Sequence, residues 1–285
     1  GISGPLLWFE YAGMPYGEPG TLYLTDFRFF PANVVTSSFS LVSPSTTNWV
    51  ANNFTCSDAW VRLPPGCTVL VSNSLTVIGS SAIFELPAPS SLTCGSLTLT
   101  NGGRLYLASG PTNGTVLNSG GPLNVAGTLS ISTGSTLYAA CDPTNGGALN
   151  MTVGALALRN GGAISADGRG FRGWVTATRQ GLGPGGGVAS DVGSGAGYGG
   201  VGSGNQRGNV GGITYGSSNS PIDAGSAGGD GAAYTGGGHG GGVVWLTVLE
   251  RATVDGTISA NGWRPIEQNP INGYACGGGS GGSIW

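Results

Sequence analysis

Leu97-Thr98-Leu99-Thr100-Asn101-Gly102, followed closely by Leu105-Tyr106-Leu107, is the stretch on which the fold turns. Apolar and polar residues alternate in it. On an extended chain this sends Leu97 and Leu99 to one side and Thr98 and Thr100 to the other. The Asn-Gly step then supplies a corner where a positive φ costs little. The unit recurs as Leu75-Thr76-Val77-Ile78-Gly79, Leu129-Ser130-Ile131-Ser132-Thr133-Gly134 and Leu156-Ala157-Leu158-Arg159-Asn160-Gly161. Each copy is trailed by a second short run: Ile83-Phe84, Leu137-Tyr138 and Ile164-Ser165. From Leu75 to Leu97, Leu97 to Leu129 and Leu129 to Leu156 the offsets are 22, 32 and 27 residues, so the extra length falls in loops. A further copy is expected at Ala252–Ser259.

Units of roughly 20–30 residues that each bury one face against the next make a solenoid. The expected fold is all-β: a right-handed parallel β-helix, or β-solenoid, with a glycine-rich insertion and an N-terminal β cap. A β-sandwich or hairpin meander is the alternative, because Asn-Gly between strands is also the leading hairpin signal. Helical signals are nearly absent: there is no lysine, glutamate is rare and no long 3.6-residue period occurs.

Four regions are expected. Residues 1–60 hold short runs such as Leu6-Leu7-Trp8-Phe9, Thr21-Leu22-Tyr23-Leu24 and Phe39-Ser40-Leu41-Val42, broken by Pro and Gly, and read as a cap or small β subdomain. Residues 61–170 carry the solenoid repeats. Residues 171–242 form the glycine-rich segment; from Gly181 to Gly242, 26 of 62 residues are glycine. Such a tract either stays flexible or packs backbone on backbone at distances that a Cβ forbids. Residues 243–285 return to strands, beginning with the buried run Val243–Val248. The last residues, Gly281–Trp285, read as a strand only just begun, and Gly1 as first residue suggests a processed or partial chain.

Composition narrows the function. Only 8% of residues are charged, the ten basic residues are all arginine and the net charge is -3. No basic patch is available for phosphates, so nucleic acid is not an expected partner. No apolar run is long enough for a membrane-spanning helix. Apolar residues make up 39% of the chain, enough to form a core outside the glycine tract.

Three sequons, at Asn53, Asn113 and Asn150, fall at expected turns or strand edges and are candidate N-glycosylation sites. Of five cysteines, Cys56 and Cys67 flank a strand and a Pro-Pro-Gly turn and are candidates for a short disulfide loop. Cys94 and Cys141 are candidates to join neighbouring coils, and Cys276 is left over. Buried free thiols are the plainer alternative. Low charge, sequons and cysteines together favour an oxidising, extracellular setting.

From Ile164 onward the chain resembles a known group. The residues are Ala163-Ile164-Ser165-Ala166-Asp167-Gly168-Arg169-Gly170, then Gly236–Gly242 around His239, then Asp255-Gly256-Thr257-Ile258-Ser259-Ala260-Asn261-Gly262. Gly277-Gly278-Gly279-Ser280-Gly281-Gly282-Ser283-Ile284-Trp285 closes the series. They are similar to the glycine-rich β-helix modules of large secreted surface proteins of bacteria and free-living protists. The resemblance covers roughly residues 160–285, and more weakly back to about 70. It implies an extracellular, surface-associated role and carries no catalytic residues.

Motifs that look chemical have plainer readings. Gly195-Ala196-Gly197-Tyr198-Gly199-Gly200 fits G-x-G-x-x-G, but no βαβ unit surrounds it. Gly278-Gly279-Ser280-Gly281-Gly282 fits a nucleophile elbow, but Asp and His do not follow it. Asp223, Asp230 and Asp255 near glycine turns read as solvated turn residues rather than calcium ligands. Asp142, Asp167, Arg104 and Arg159 sit near repeat turns without a carboxylate pair on one strand face. No catalytic residue, metal ligand or cofactor is expected. Exposed tyrosines and tryptophans as a sugar-binding strip are weighed against ordinary packing, which is favoured.

The function expected is therefore structural: a glycosylated subunit of a surface filament or flagellar-hair-like fibre, stacking head to tail on itself. Gly282, Ser283, Ile284 and Trp285 are the candidate assembly strand. The alternatives are a monomeric adhesin or carbohydrate-binding module, and a carbohydrate-active β-helix enzyme.

Overall fold

The computed structural model of the protein describes residues 20–25, 33–42, 48–110, 123–173, 179–231, 236–265 and 275–285. The expected run Leu6–Phe9 and the sequon residue Asn113 lie outside them. Every strand pairing is parallel, and no helix occurs among the described residues.

Two sheets carry the fold, and the chain alternates between them. One contains β2 (Val34–Val35), β4 (Asn48–Ser57), β6 (Thr68–Ile78), β8 (Ser91–Thr100), β10 (Leu123–Ile131), β12 (Leu149–Leu158), β14 (Val243–Val248) and β17 (Ser283–Ile284), in that spatial order. β15 (Ala252–Val254) also belongs to it, beside β12. The other contains β1 (Thr21–Tyr23), β3 (Phe39–Val42), β5 (Trp60–Arg62), β7 (Ile83–Leu86), β9 (Arg104–Ala108), β11 (Thr136–Ala140), β13 (Ala163–Ser165) and β16 (Thr257–Ser259). Each turn of the chain thus gives one long strand to the first sheet and one short strand to the second. The described part of residues 20–60 adds β1 to β5 to these same sheets. The parallel pairing rules out the hairpin meander; the lone antiparallel pairing among described residues is an isolated bridge, Asp142 to Gly146.

Alternation builds the core in ladders. Phe54, Leu75, Leu97, Leu129 and Leu156 are successive register partners and all lie inside. From the second sheet come Val61, Phe84, Leu105, Leu137 and Ile164, likewise in register and buried. Each such side chain removes its apolar surface from water, at about 25 cal/mol per Å². The long strands share one irregularity. The register slips at Ala51/Asn53, Val71/Ser74 and again within β10, at the same place in each turn. Each long strand therefore bends there and presents two outer faces. The corner after the second half holds the expected left-handed residues, Asn101 at φ 54 and Gly102 at φ 90.

Between β13 and β14 the chain leaves the sheets for the glycine-rich segment. The described residues of this segment contain no strand, yet their peptide groups are bonded. Gly225 and Gly228 donate to the carbonyls of Gly241 and Gly238 at 2.8 and 2.9 Å. Gly238 and Gly241 donate onward to Gly277 and Ser280, and Gly277 and Ser280 to Gly229 and Ser226. Bonds recurring at every third residue are the signature of extended polyproline-II-type segments, which have three residues per turn and no internal hydrogen bonds. They lie so close that a Cβ on Gly228 would stand 2.0 Å from the Gly277 oxygen, and one on Gly240 1.8 Å from the Gly225 oxygen. Of the two outcomes open to the glycine tract, backbone-on-backbone packing is the one adopted. Phe171, Ala224, Ala227, Val243 and Cys141 form a separate apolar cluster that seats this glycine block against the sheet winding.

Candidate functional site

Among the described residues the long-strand sheet has two outermost strands. β17 lies at one end of the long-strand sheet and β2 at the other. Of the expected assembly strand, Ser283, Ile284 and Trp285 run along β14 of the same chain, and Gly282 donates to the Ala260 carbonyl at 2.8 Å. Ser283 donates to the Gly242 carbonyl at 3.0 Å, Trp285 donates to Val244 at 2.9 Å and Leu246 donates to Trp285 at 2.9 Å. In a parallel ladder alternate residues face alternate neighbours. The N–H and C=O of Ile284 therefore face away from β14. At the other end Thr55 donates to the Asn33 carbonyl at 2.8 Å, which leaves the peptide groups of Val34 facing outward in the same way. No described strand pairs beyond either residue. Val34 and Ile284 are 56% and 51% exposed, and Trp285 is 53% exposed, so among the described residues the two outermost strands present apolar side chains beside outward-facing peptide groups.

β17 is braced from below by the glycine block. The Ser283 hydroxyl donates to the Asp223 carbonyl at 2.7 Å and is shared with the Tyr198 hydroxyl at 2.5 Å. Tyr198 meets Tyr215 edge to face at 4.9 Å between ring centroids. The Tyr215 hydroxyl donates to the Ala224 carbonyl and receives the Ser226 hydroxyl at 2.8 Å. Burial raises the Tyr215 phenol well above its ordinary pKa, against the lowering effect of its bond to Ser226, so it stays protonated. Sequence reading found β17 but not this hydroxyl network. Its members are some 11 to 85 residues apart, and no local pattern marks them.

The sequon residues separate. Asn53 is exposed on β4, where its side-chain oxygen accepts the Ser74 hydroxyl at 2.8 Å. Asn150 stands half-buried on β12 in register with Trp245, with its side-chain oxygen buried.

The candidate disulfides are not formed. Cys56, Cys67, Cys94 and Cys141 are buried single thiols, and Cys276 is half-buried. Cys94 takes a core place in register with Val71 and Val125, as any apolar residue would. The Cys56 thiol donates to the Ala59 carbonyl at 3.0 Å. Burial pushes all four core thiols up to about 12, which keeps them protonated and unreactive. Cys276 instead lies against the glycine block, where its sulfur accepts the Gly231 N–H at 3.1 Å.

The remaining polar candidates act as turn and packing residues. Asp142 accepts the N–H groups of Thr144 and Asn145 in a tight turn. Asp167 accepts the Ser259 hydroxyl and the Asn261 N–H at 2.8 and 2.6 Å, tying two successive turns together. Asp223 and Asp255 are exposed, while Asp230 is buried and receives the Gly236 N–H. Among the described residues no three His, Cys, Asp or Glu side chains converge as metal ligands. His239 packs edge-on to Trp263, and burial, aided by Arg172, lowers it to about 4.

One further row escaped the sequence reading. On the outside of the short-strand sheet Arg62 and Trp60 both donate to the Glu85 carboxylate at 3.0 Å. Next in the ladder Tyr106 stacks on Tyr138 at 4.4 Å, with the Arg169 guanidinium 4.2 Å from the Tyr138 ring centroid. Trp60 and Tyr106 are both buried, and Tyr138 is partly buried, which suits packing rather than an open sugar strip.

The chain matches no family model, no curated protein and no solved structure.

Proposed function

We propose that the chain is a right-handed parallel β-helix that serves as the subunit of an extracellular surface filament. The right hand follows from the strong preference for right-handed crossovers between parallel strands. In this reading subunits stack head to tail, with Ile284 of one copy addressing Val34 of the next. The contact is heterologous and does not close, so it yields a fibre. Sheet augmentation supplies main-chain hydrogen bonds, and the flanking apolar side chains set the register. The observation that supports the reading is that, among the described residues, the two outermost strands of the long-strand sheet each carry an exposed apolar residue whose peptide groups face outward.

β17 acts as a fixed edge rather than a donated strand, because Ser283 and Trp285 are already bonded to β14. The resemblance to glycine-rich modules of secreted surface proteins supports a place at the cell surface. A glycan on Asn53 would make the subunit a glycoprotein. We assign it no catalytic activity and no cofactor.

Ile284→Pro tests the proposal. It removes the outward N–H while keeping every bond to β14, and proline is tolerated on edge strands. Negative-stain images of the purified chain should show filaments, and I284P or deletion of residues 281–285 should leave monomers. Filaments that persist in I284P would refute edge pairing. A wild-type monomer that binds a glycan array would favour the adhesin reading.

A further inference from the structure

A second outer face carries an array that the assembly reading does not use. It is formed by the halves of β4, β6, β8 and β10 that follow the bend. Read outward, their residues are Asn53, Thr55 and Ser57; Ser74, Thr76 and Ile78; Ser96, Thr98 and Thr100; Thr128 and Ser130, with Ser132 just beyond β10. Ten of these twelve are serine or threonine. Thr55, Thr76, Thr98 and Ser130 are direct register partners across four rungs, as are Ser57, Ile78 and Thr100 across three. The Ser132 hydroxyl continues the latter row by donating to Thr100 Oγ1 at 2.9 Å.

Parallel pairing fixes the spacing. Rungs are about 4.8 Å apart and alternate residues along a strand about 6.7 Å apart, so the array spans on the order of 14 by 13 Å. No ionisable and no aromatic side chain stands in it. Thr55, Thr76, Thr98 and Ser130, the central row, are partly exposed and form no side-chain hydrogen bond with described residues.

We propose that this face binds ice. Ice is a neutral lattice of oxygens that both donate and accept, with one axial repeat close to the rung spacing. An uncharged grid of hydroxyls is complementary to it in charge and in period, and the threonine methyls shed disordered water between rows. A charged face would bind mobile ions and water instead. A crystalline polysaccharide is the other periodic hydroxylated surface, but its sugar rings call for aromatic platforms, and none stands here. The proposal does not depend on the filament, because one subunit carries the whole array. Asn53 lies at its corner, so a glycan there would shade one end of it.

The test is adsorption of the fluorescently labelled, enzymatically deglycosylated chain to a single ice crystal, with thermal hysteresis measured in parallel. Wild type should coat the crystal. Thr98→Lys, and independently Ser130→Arg, should reduce adsorption at least tenfold while far-UV circular dichroism stays unchanged. Thr93→Lys, on the neighbouring outer face, should adsorb like wild type. Failure of wild type to adsorb overturns the proposal, as does adsorption that survives both array variants. Retention on microcrystalline cellulose without adsorption to ice overturns it in favour of a polysaccharide.

Discussion

The winding from Asn48 to Ser165 and the glycine block from Arg179 to Gly242 satisfy their peptide groups in opposite ways. In the winding every second side chain is essential, because the space between sheets is filled by Leu, Val, Ile and Phe in register. In the block the essential feature is the lack of a side chain, because carbonyls occupy the volume where a Cβ would stand. A period of two and a period of three coexist in one chain, and each is set by what its neighbours leave room for. Burial stabilises the first region. In the second, the heavy entropy cost of ordering glycine is offset by a dense lattice of hydrogen bonds.

The sharpest way to break this contrast is a methyl group added in one region and a side chain removed in the other. Gly228→Ala places a Cβ 2.0 Å from the Gly277 oxygen and 2.3 Å from its carbon, and neither backbone atom can swing aside. The expected loss is about 4 kcal/mol, at the upper end of overpacking costs. Leu97→Ala, in a fully buried ladder position, should lose about 3 kcal/mol by leaving a cavity. Urea titration of both variants checks the order. A Gly228→Ala variant as stable as wild type would mean that the block is not close-packed.

The two regions also differed in how far the sequence disclosed them. The repeat from Leu75 to Gly161 stated its own geometry, since Leu-x-Leu followed by Asn-Gly prescribes an inward row and a corner. Even the separated copy at Ala252–Ser259 docks where its pattern placed it, with Ala252 beside Leu156 and Ile258 beside Ile164. The parallel pairing was less legible, because Asn-Gly serves hairpins equally well. The bend in each long strand was not legible, because it depends on how successive rungs slip. In the block, glycine density announced close packing but not its partners. Gly228 bonds to Gly238, and Gly238 to Gly277, and nothing in the local sequence distinguishes these glycines from their neighbours. The candidate sites divide along the same line. β17 was legible as a strand beginning, whereas its brace through Tyr198 and Tyr215 required the fold. Of the cysteines read as bridges, Cys56 and Cys94 turned out to be ladder residues, since a thiol alternates with polar neighbours just as valine does, and Cys67 and Cys141 are buried next to strand ends.

Protonation offers a milder probe that acts on the block alone. His239 has a folded pKa of about 4, below its ordinary value of 6.5. The unfolded chain therefore binds more protons between these values. The contribution of His239 to stability is fully present above pH 6.5 and is lost as pH falls toward 4. Discounted for the solvent that reaches the half-buried ring, the loss should be about 2 kcal/mol. His239→Gln should flatten the fall of melting temperature across this window. A fall of equal depth in the variant would place the acid sensitivity elsewhere.

The smallest expected effect sharpens the contrast by testing its limit. If glycine were required throughout the block simply as glycine, every replacement there would be harmful. Close packing makes a narrower claim: only glycines that face another backbone are required. Gly199 is exposed, and a Cβ built on it meets nothing within 4 Å. Its φ lies outside the left-handed region that side chains avoid. Gly199→Ala should then stabilise the protein by about 0.5 kcal/mol, because it restricts the unfolded chain and costs the folded one nothing. Thermal unfolding of this variant beside Gly228→Ala separates the two claims. A stabilised G199A beside a crippled G228A assigns the order of the block to contact geometry. Equal damage in both would assign it to glycine content alone, and the three-residue lattice would lose its place as the reason this segment is ordered.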